Sequence, residues 1–573
     1  MGDIGSVSAP WMPVAPRALP LGKANVYPLD ELHAVSVSLP TWASVIGLSR
    51  KEEWVLENLE WSYPRFYLNK PIRDLADAVL HRLQITDKSI SCMVFRSANA
   101  ARTCAADLRA VASDSQSRVL QTVQFFMPLE SNWGTSATHW ANFTAVLFPG
   151  DLKKQAMAFW RDTGAGLSTR HATYCLEELD YLDSDSSEPT FRTPALQKRS
   201  RRQSQQSVML TQSADSSMDE IKTFLAQLAT SEQPGQPAVD PDDVFLYPNG
   251  MNAIYALSEG VASFAADSTV AAYGWLYPET VDVLKRGPWG KLLSFKDGTE
   301  EELDQLESML ESGQRIRALF CELPSNIKLS SPNLRRIHAL ADKYDFIVAC
   351  DDTVAGYVNV DALPYVDVMM SSLTKTFSGF SNVTGGSLVI NPSSRHRQIL
   401  QTIISSQYEN IYFPLDVEVI AKNSRNIAWR VKQCNQNTLP LVNLLQSHPS
   451  VAQVNHPSIA PTEPVYRSLM RKDGGYGNVL SIVFHHPRSA EHFYNVLDIC
   501  KGSSFGTNFT LAIPYVQLAN YWNREKVPKY GVPQHIIRIS VGLEDSESIV
   551  NVVAAALREV ERLEFGDVLN GDA

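Results

Sequence analysis

Apolar positions along this chain recur with two periods. In IRDLADAVLHRL (72–83), Ile72, Leu75, Val79, Leu80 and Leu83 fall on one face at helical spacing. MVFRSANAARTCAADLRAV reads as a strand end followed by a helix. FTAVLFPGDLKKQAMAFWRDTG repeats the order, with an apolar strand, a Pro-Gly break and an amphipathic helix. Residues 20–180 are therefore expected to fold with α/β character. From Asp183 to Ser217 the pattern stops in a run rich in Ser, Gln and charge, expected to be a polar linker. Ser217 and Glu220 have capping-box spacing, so a helix with an Ile221–Phe224–Leu225–Leu228 stripe is expected to start there.

Beyond it strands and helices alternate. VFLY (244–247) precedes a helix from Gly250, TVAAY (269–273) precedes Val281–Arg286, and KLLSF (291–295) precedes TEEELDQLESMLES. IRALFCEL (316–323) leads to a helix expected to take Ser331 as N-cap and Pro332 at its first position. FIVACDD (346–352) and VDVMMSSLT (366–374) complete the series. Such alternation predicts a mainly parallel sheet with helices on its faces. Ligands of such sheets lie beyond the carboxyl ends of the strands, where this chain places Asn249, Tyr273, Glu322, Asp351 and Lys375. A long helix around Val417–Lys432, the strands VLSIVFHH and IIRISVGLED, and a helix from Glu547 suggest a separate C-terminal α/β domain. The expected division is 1–182 as an N-terminal extension, 183–217 as linker, 218–432 as the large domain and 433–573 as the C-terminal domain.

Composition narrows the class. The 573 residues suffice for about three to four domains, and 44% hydrophobic with 20% charged residues is ordinary globular usage. No apolar run is long enough to span a bilayer, so no membrane partner is expected. A net charge of −11 argues against a nucleic-acid partner. The basic run 198–202 (KRSRR) reads as solvated loop charge. Seven dispersed cysteines without CxxC spacing suit a reducing, cytoplasmic location. The N-terminus lacks the pattern of a signal peptide, and Gly2 with Ser6 is read as part of a flexible tail rather than a myristoylation site. Histidines show no HExxH spacing, and no metal site is expected.

Three features carry the chemistry: Ser372-Leu373-Thr374-Lys375, a strand-ending Asp351 placed 24 residues before that lysine, and Pro248-Asn249-Gly250-Met251 between a strand and a helix. Together they resemble the fold type I pyridoxal-phosphate enzymes, more narrowly the Cys/Met-metabolism family that includes cystathionine γ-synthases. HAVSVSLPTW (33–42), YPRFYLNK (63–70), GAGLSTR (164–170), LYPNGMNAIYAL (246–257), NVTGGSLVINP (382–392) and IIRISVGLED (536–545) are similar to the fungal branch of that family, which carries an N-terminal extension.

The resemblance implies a fold type I transferase with a smaller C-terminal domain, pyridoxal 5'-phosphate as cofactor, and roles for named residues. Lys375 would bond the cofactor's aldehyde. Asp351, rather than Asp352 on the opposite side of the strand, would hold the pyridine nitrogen protonated. Gly250 and Met251 amides with the Ser372 and Thr374 hydroxyls would take the phosphate. Tyr273, in preference to Tyr277, would stack on the ring and help move protons. Arg538 would clamp the substrate carboxylate with its fork, and Ser504 would lie nearby.

One departure stands out. The family's Tyr-x-Arg, donated across a dimer interface to the neighbour's phosphate, is sought at YCLEELDYLDSDS (174–186). Tyr181 stands there without an arginine, leaving Arg170, Arg192 or the 198–202 run as substitutes. The reading is γ-replacement on an O-acyl-L-homoserine by a nucleophilic co-substrate through a vinylglycine-type intermediate, giving cystathionine or a nonproteinogenic amino acid. The departure tilts it towards a divergent, natural-product member. A γ- or β-lyase and a non-catalytic relative are the alternatives. A homodimer or homotetramer with active sites at the interface follows from the family alone.

Overall fold

A computed structural model of the chain describes residues 16–26, 33–128, 140–186, 192–198, 201–264 and 267–566. The Gly2–Ser6 pattern and residues 199–200 of the basic run lie outside them.

Three sheets organise these residues. The first is antiparallel, in the order β1-β3-β2-β4, from Ile90–Phe95 (β1), Gln121–Phe126 (β2), Phe143–Pro149 (β3) and Asp183–Ser186 (β4). Helices Lys70–Arg82, Ala98–Val111, Lys153–Thr163 and Thr169–Glu178 lie against it. The predicted stripe is real, since Ile72, Leu75 and Val79 are buried in one apolar core with Val94, Val146 and Leu147.

The second sheet has seven strands: Val244–Tyr247 (β5), Thr269–Tyr273 (β6), Lys291–Phe295 (β7), Ala318–Glu322 (β8), Ile347–Asp351 (β9), Val368–Ser371 (β10) and Gly386–Ile390 (β11). Their order is β5-β11-β10-β9-β8-β6-β7. Only β11 runs against its neighbours, so the sheet is mainly parallel. Its central strands are buried throughout, as both covered faces require. The third sheet, β12-β13-β16-β15-β14, comprises Val451–Asn455 (β12), Val479–Phe484 (β13), Cys500–Lys501 (β14), Leu511–Pro514 (β15) and Ile537–Ser540 (β16).

Several boundaries differ from expectation. The described residues of 183–217 do not read as a linker: Asp183–Ser186 adds β4 to the first sheet, and from Arg201 the chain is the first half of helix Arg201–Ala229, with 187–191 and 199–200 outside the described residues. Ser217 is therefore interior to that helix, not its cap. Ala214, Met218, Ile221, Leu225 and Ala229 are buried at spacings of three and four, so a thin apolar stripe carries the helix back through polar composition. The helix after β8 is Leu334–Tyr344, capped by Asn333, whose side chain accepts from Arg336 N, so Ser331 and Pro332 stand outside it. The helix expected around 417–432 is two, Pro414–Ser424 and Ile427–Ser447, and the second runs across the 432/433 boundary.

Residues 16–26 and 33–68 form neither sheet nor bundle. They run as an arm across the third sheet, with helix Trp42–Arg50 packed there, before entering Lys70–Arg82. Val37, Leu39, Trp42, Val45, Val55 and Leu59 share an apolar core with Leu480, Ile482 and Ile537.

Candidate active site

The carboxyl ends of β6, β8, β9 and β10 open into one cavity of about 980 Å³. Its walls come from every part of the chain: 48–73 of the arm, Gly250 and Met251, Tyr277, Glu322, Asn326, Asp351, Ser372, Lys375, Ser504, Tyr515 and Arg538.

Lys375 follows β10 in a turn in which Lys375 N donates to Ser372 O (3.2 Å) and Gly379 N to Lys375 O (2.8 Å). The residue is 8% exposed, and its amine donates to Ser504 Oγ at 2.9 Å, with Tyr63 Oη at 3.4 Å. Burial lowers the lysine's pKa from its ordinary value; Tyr63 opposes that shift, and the positive Arg538 and Arg65 add to it. Burial alone would raise the Tyr63 phenol, but Lys375 and Arg65 beside it outweigh that and hold it below its ordinary value.

Asp351 ends β9. Its Oδ1 accepts from Thr353 N (2.9 Å) and Thr353 Oγ1 (2.5 Å), leaving Oδ2 as an acceptor for a group in the cavity. Across the sheet, Asp351 is in register with Glu322. Burial and the charge of Asp351 push the Glu322 carboxyl well above the usual carboxylate range, and burial raises Asp351 as well, against the Thr353 hydrogen bonds that lower it. Asp352 is fully buried and does not line the cavity, as strand alternation requires.

Gly250 and Met251 open helix Gly250–Phe264, where first-turn N–H groups have no partner within the helix. A Cβ at Gly250 would meet Ser372 Cβ at 2.8 Å, so these two positions form a close cradle. Ser372 lines the cavity. Thr374 does not: its hydroxyl donates to Gly385 O and accepts from Gly385 N, tying β10 to β11.

Arg538, on β16, is 6% exposed. Its Nη1 donates to Asn326 Oδ1 (3.1 Å) and Nη2 to Ser504 O (2.6 Å). No carboxylate pairs with it among the described residues, and burial lowers its pKa to about 10. A buried guanidinium without a counterion is costly and suits an anionic ligand.

Tyr273 is not part of this assembly. Strand alternation turns its ring to the opposite face of β6, into the core with Phe295, Leu303 and Cys321, and its hydroxyl donates to Thr299 O (2.9 Å). Tyr277, four residues on, lines the cavity instead. Its N–H donates to Glu322, and its hydroxyl accepts from Arg65 Nη2 at 2.8 Å.

The Tyr-x-Arg sought at 174–186 is present at Tyr63-Pro64-Arg65. Arg65 is 5% exposed, and its Nη1 donates to Arg161 O at 2.8 Å. Arg170 is instead held by Asp416 and Asn382 O outside the main cavity, and Arg192 is exposed beside Asp185. The motif stood in the sequence within YPRFYLNK, read there only as likeness. Tyr277 stood in the sequence as the alternative to Tyr273, whereas Asn326 carried no signal.

The arrangement fits the cofactor that the resemblance implied: a buried amine with a lowered pKa for the aldehyde, the Asp351 carboxyl for the pyridine nitrogen, and helix amides with Ser372 for the phosphate. Among the described residues no cluster of three metal-ligating side chains occurs, and no helix is long and apolar enough to cross a membrane.

The profile described as "Cys/Met metabolism PLP-dependent enzyme" matches residues 239–558, and that of the "fungal trans-sulfuration enzyme, N-terminal domain" matches 71–168. A "cystathionine gamma-synthase-like protein" of Aspergillus thermomutatus is 42% identical over 95% of both chains. The cystathionine gamma-synthase of Neurospora crassa is 30% identical over 95% of this chain and 99% of its own. An alanine racemase of Aspergillus violaceofuscus is 32% identical over 96% and 98%. Among solved structures, the cystathionine gamma synthase of Xanthomonas oryzae pv. oryzae shares the fold at TM-score 0.52 and 20% identity, covering 61% of this chain and 87% of that one. A Campylobacter jejuni structure with N'-pyridoxyl-lysine-5'-monophosphate matches at TM-score 0.52, with 20% identity and coverage of 60% and 86%.

Proposed function

The chain belongs to the Cys/Met metabolism family of pyridoxal-phosphate-dependent enzymes, and from that premise we propose that it replaces the γ-substituent of an O-acyl-L-homoserine with a nucleophile. The observation that carries the reading is the placement of the Lys375 amine and the uncountered Arg538 guanidinium on either side of Ser504, whose hydroxyl accepts from one and whose carbonyl accepts from the other.

When bound, pyridoxal phosphate supplies the electron sink that acidifies Cα and allows bonds at Cα and Cγ to break. The protein supplies position and proton transfer. Arg538 binds the amino acid's α-carboxylate through a fork already aimed by Asn326 and Ser504. That fixes Cα beside Lys375, whose amine removes the Cα proton and, from the same side, moves the Cβ proton needed to expel a γ-acyloxy group. Tyr63, with its lowered phenol pKa, is placed to exchange a proton with the lysine amine. Asp351, held by two hydrogen bonds from Thr353, presents its other carboxylate oxygen to the cavity, where it would hold the pyridine nitrogen. The cavity of about 980 Å³ lies at the upper end of ligand-pocket volumes and leaves room for a second substrate.

Mass spectrometry of reactions pairing O-acetyl-L-homoserine with thiols, amines and carbon acids tests this. A product joining the four-carbon amino acid to an acceptor supports it. Formation of 2-oxobutyrate and ammonia regardless of acceptor makes the enzyme a lyase. Inert homoserine esters together with interconversion of L- and D-alanine would replace it with the racemase activity named for one relative.

A further inference from the structure

We propose that the cavity holds a subsite for a second carboxylate beside Arg538, formed by Trp275, Tyr515 and Lys296. One of the two substrates then carries an acid group besides the α-carboxylate that Arg538 binds. This rests on the reading of Arg538 as that clamp.

Three strand ends build the subsite. Trp275 stands two residues past β6, Lys296 one residue past β7, and Tyr515 one residue past β15. Gly274 N donates to Phe295 O at 2.7 Å, which carries the β6–β7 pairing beyond the strands and draws the turns of Trp275 and Lys296 together. The indole and the phenol pack in one small apolar cluster with Val516 and Val527. The Trp275 ring lies 6.0 Å from that of Tyr530, and the Lys296 amine lies 5.0 Å from the same Tyr530 ring. Tyr515 in turn has the Arg538 guanidinium 5.4 Å from its ring. The groups therefore run from the α-carboxylate clamp to Lys296 along one wall of the main cavity. None of them comes from the arm, so the subsite does not depend on where the arm packs.

Two polar groups on this wall lack partners. Trp275 is 7% exposed and Tyr515 3%, yet neither Trp275 Nε1 nor Tyr515 Oη makes a hydrogen bond of ordinary geometry among the described residues. Burying such groups unpaired is costly, and a ligand that pairs them recovers the cost. An indole N–H can only donate. The phenol keeps its proton to donate, because burial raises its pKa against the opposing effects of Arg538 and Trp275.

Charge points the same way. No acid pairs with Lys296 among the described residues, since Asp297 beside it is taken by Lys328 at 3.7 Å. Glu279 and Glu322 do approach Tyr515, but Glu279 faces Arg161 at 3.8 Å, and Glu322 accepts from Tyr277 N and Asn326 N. Two donors and an unpaired cation in a row suit a carboxylate, whose two oxygens take several charge-assisted hydrogen bonds. Two sources supply one: the acceptor nucleophile, or the acyl half of the homoserine ester when it is a dicarboxylic acid.

Calorimetry on the holoenzyme tests the subsite without turnover. The diacids glutarate, adipate and pimelate are titrated against the monoacids of equal length. At least one diacid is expected to bind about 10- to 100-fold tighter than its monoacid. That preference should shrink by about 5-fold or more in Trp275→Phe and in Lys296→Gln. Lys296 is only half-buried, so its variant leaves the core intact, and Tyr515→Phe replaces Trp275→Phe if the latter loads no cofactor. Equal binding of diacids and monoacids throughout, or a preference unchanged in the variants, overturns the proposal.

Turnover assigns the source. With O-acetyl-L-homoserine, 3-mercaptopropionate is set against 2-mercaptoethanol; with one thiol, the O-succinyl ester is set against the O-acetyl ester. A kcat/KM preference for the acidic thiol that Lys296→Gln weakens places the acceptor in the subsite, and the same pattern for the succinyl ester places the acyl group there. Esters and thiols that react with neither preference overturn the proposal. If no ester reacts while the diacid preference and its loss in the variants hold, the γ-replacement reading falls and the subsite stands.

Discussion

Lys375 Nζ donates to Ser504 Oγ at 2.9 Å, and the backbone of Ser504 sits at φ +86°. A non-glycine residue in that region is strained. Its hydroxyl and carbonyl are thereby aimed at two groups at once, the lysine amine and the Arg538 guanidinium. Ser504→Ala keeps the carbonyl and removes only the hydroxyl. One oriented hydrogen bond is worth about 1 kcal/mol, so kcat is expected to fall roughly 5- to 10-fold. KM for the amino acid should change little, and the visible absorption band of bound cofactor should persist. Steady-state kinetics with a spectrum of the resting enzyme checks this.

Arg538→Lys retains charge but loses the fork. Charge-assisted hydrogen bonds are worth about 1.5–3 kcal/mol, so kcat/KM for the amino-acid substrate is expected to fall by roughly 10- to 100-fold. Cofactor loading should be unaffected. Titration of the spectrum with substrate measures the lost affinity separately from turnover.

Tyr277 and Tyr273 are expected to part company. Tyr277→Phe removes the acceptor of Arg65 Nη2 inside the cavity and should lower turnover. Tyr273→Phe removes a hydroxyl that donates only to Thr299 O. It should cost about 1 kcal/mol of stability and leave kcat intact. Thermal melts and kinetics on both variants give the comparison.

Asp352 gives a pH signature. Burial first, and then the charge of Asp351, pushes its pKa from 3.8 up to about 8. The folded chain thus holds a proton that the unfolded chain releases, so stability falls as pH rises from about 4 to about 8. The contribution is fully present below the unfolded value and lost through the folded one. Asp352→Asn should flatten this limb, raising Tm relative to wild type at pH 8 and converging with it under acid conditions.

Gly250→Ala tests the phosphate cradle. The new Cβ would lie 2.8 Å from Ser372 Cβ and 3.1 Å from Ser372 Cα, so the turn must open. Weaker cofactor retention on dialysis is the expected outcome, with secondary structure preserved by circular dichroism.

The chain's local patterns already contained the alternating strands and helices, the lysine turn, the strand-ending Asp351 and the β16 arginine. Each is a short-range signal: a period, a cap or a strand end read over a few residues. Where those signals were thin the expectation missed, as at 201–217, where widely spaced Ala214 and Met218 sustain a helix through Ser and Gln. Tyr273 and Tyr277 show a second limit. Both follow one strand, and choosing between them requires knowing which face of β6 turns to the cavity.

Sequence alone thus determined the family and its cofactor, because Lys375, Asp351, Gly250 and Arg538 stand in an order and with residue types that suit pyridoxal phosphate. Tertiary structure decided which groups meet. It brought Tyr63 to Lys375 across 312 positions, and it joined Asn326 to Arg538 across 212. It also turned Tyr273 and Thr374 away. The physical reason is that local pattern fixes which face of an element is apolar, whereas the company a polar side chain keeps is set by how buried faces from distant segments pack together.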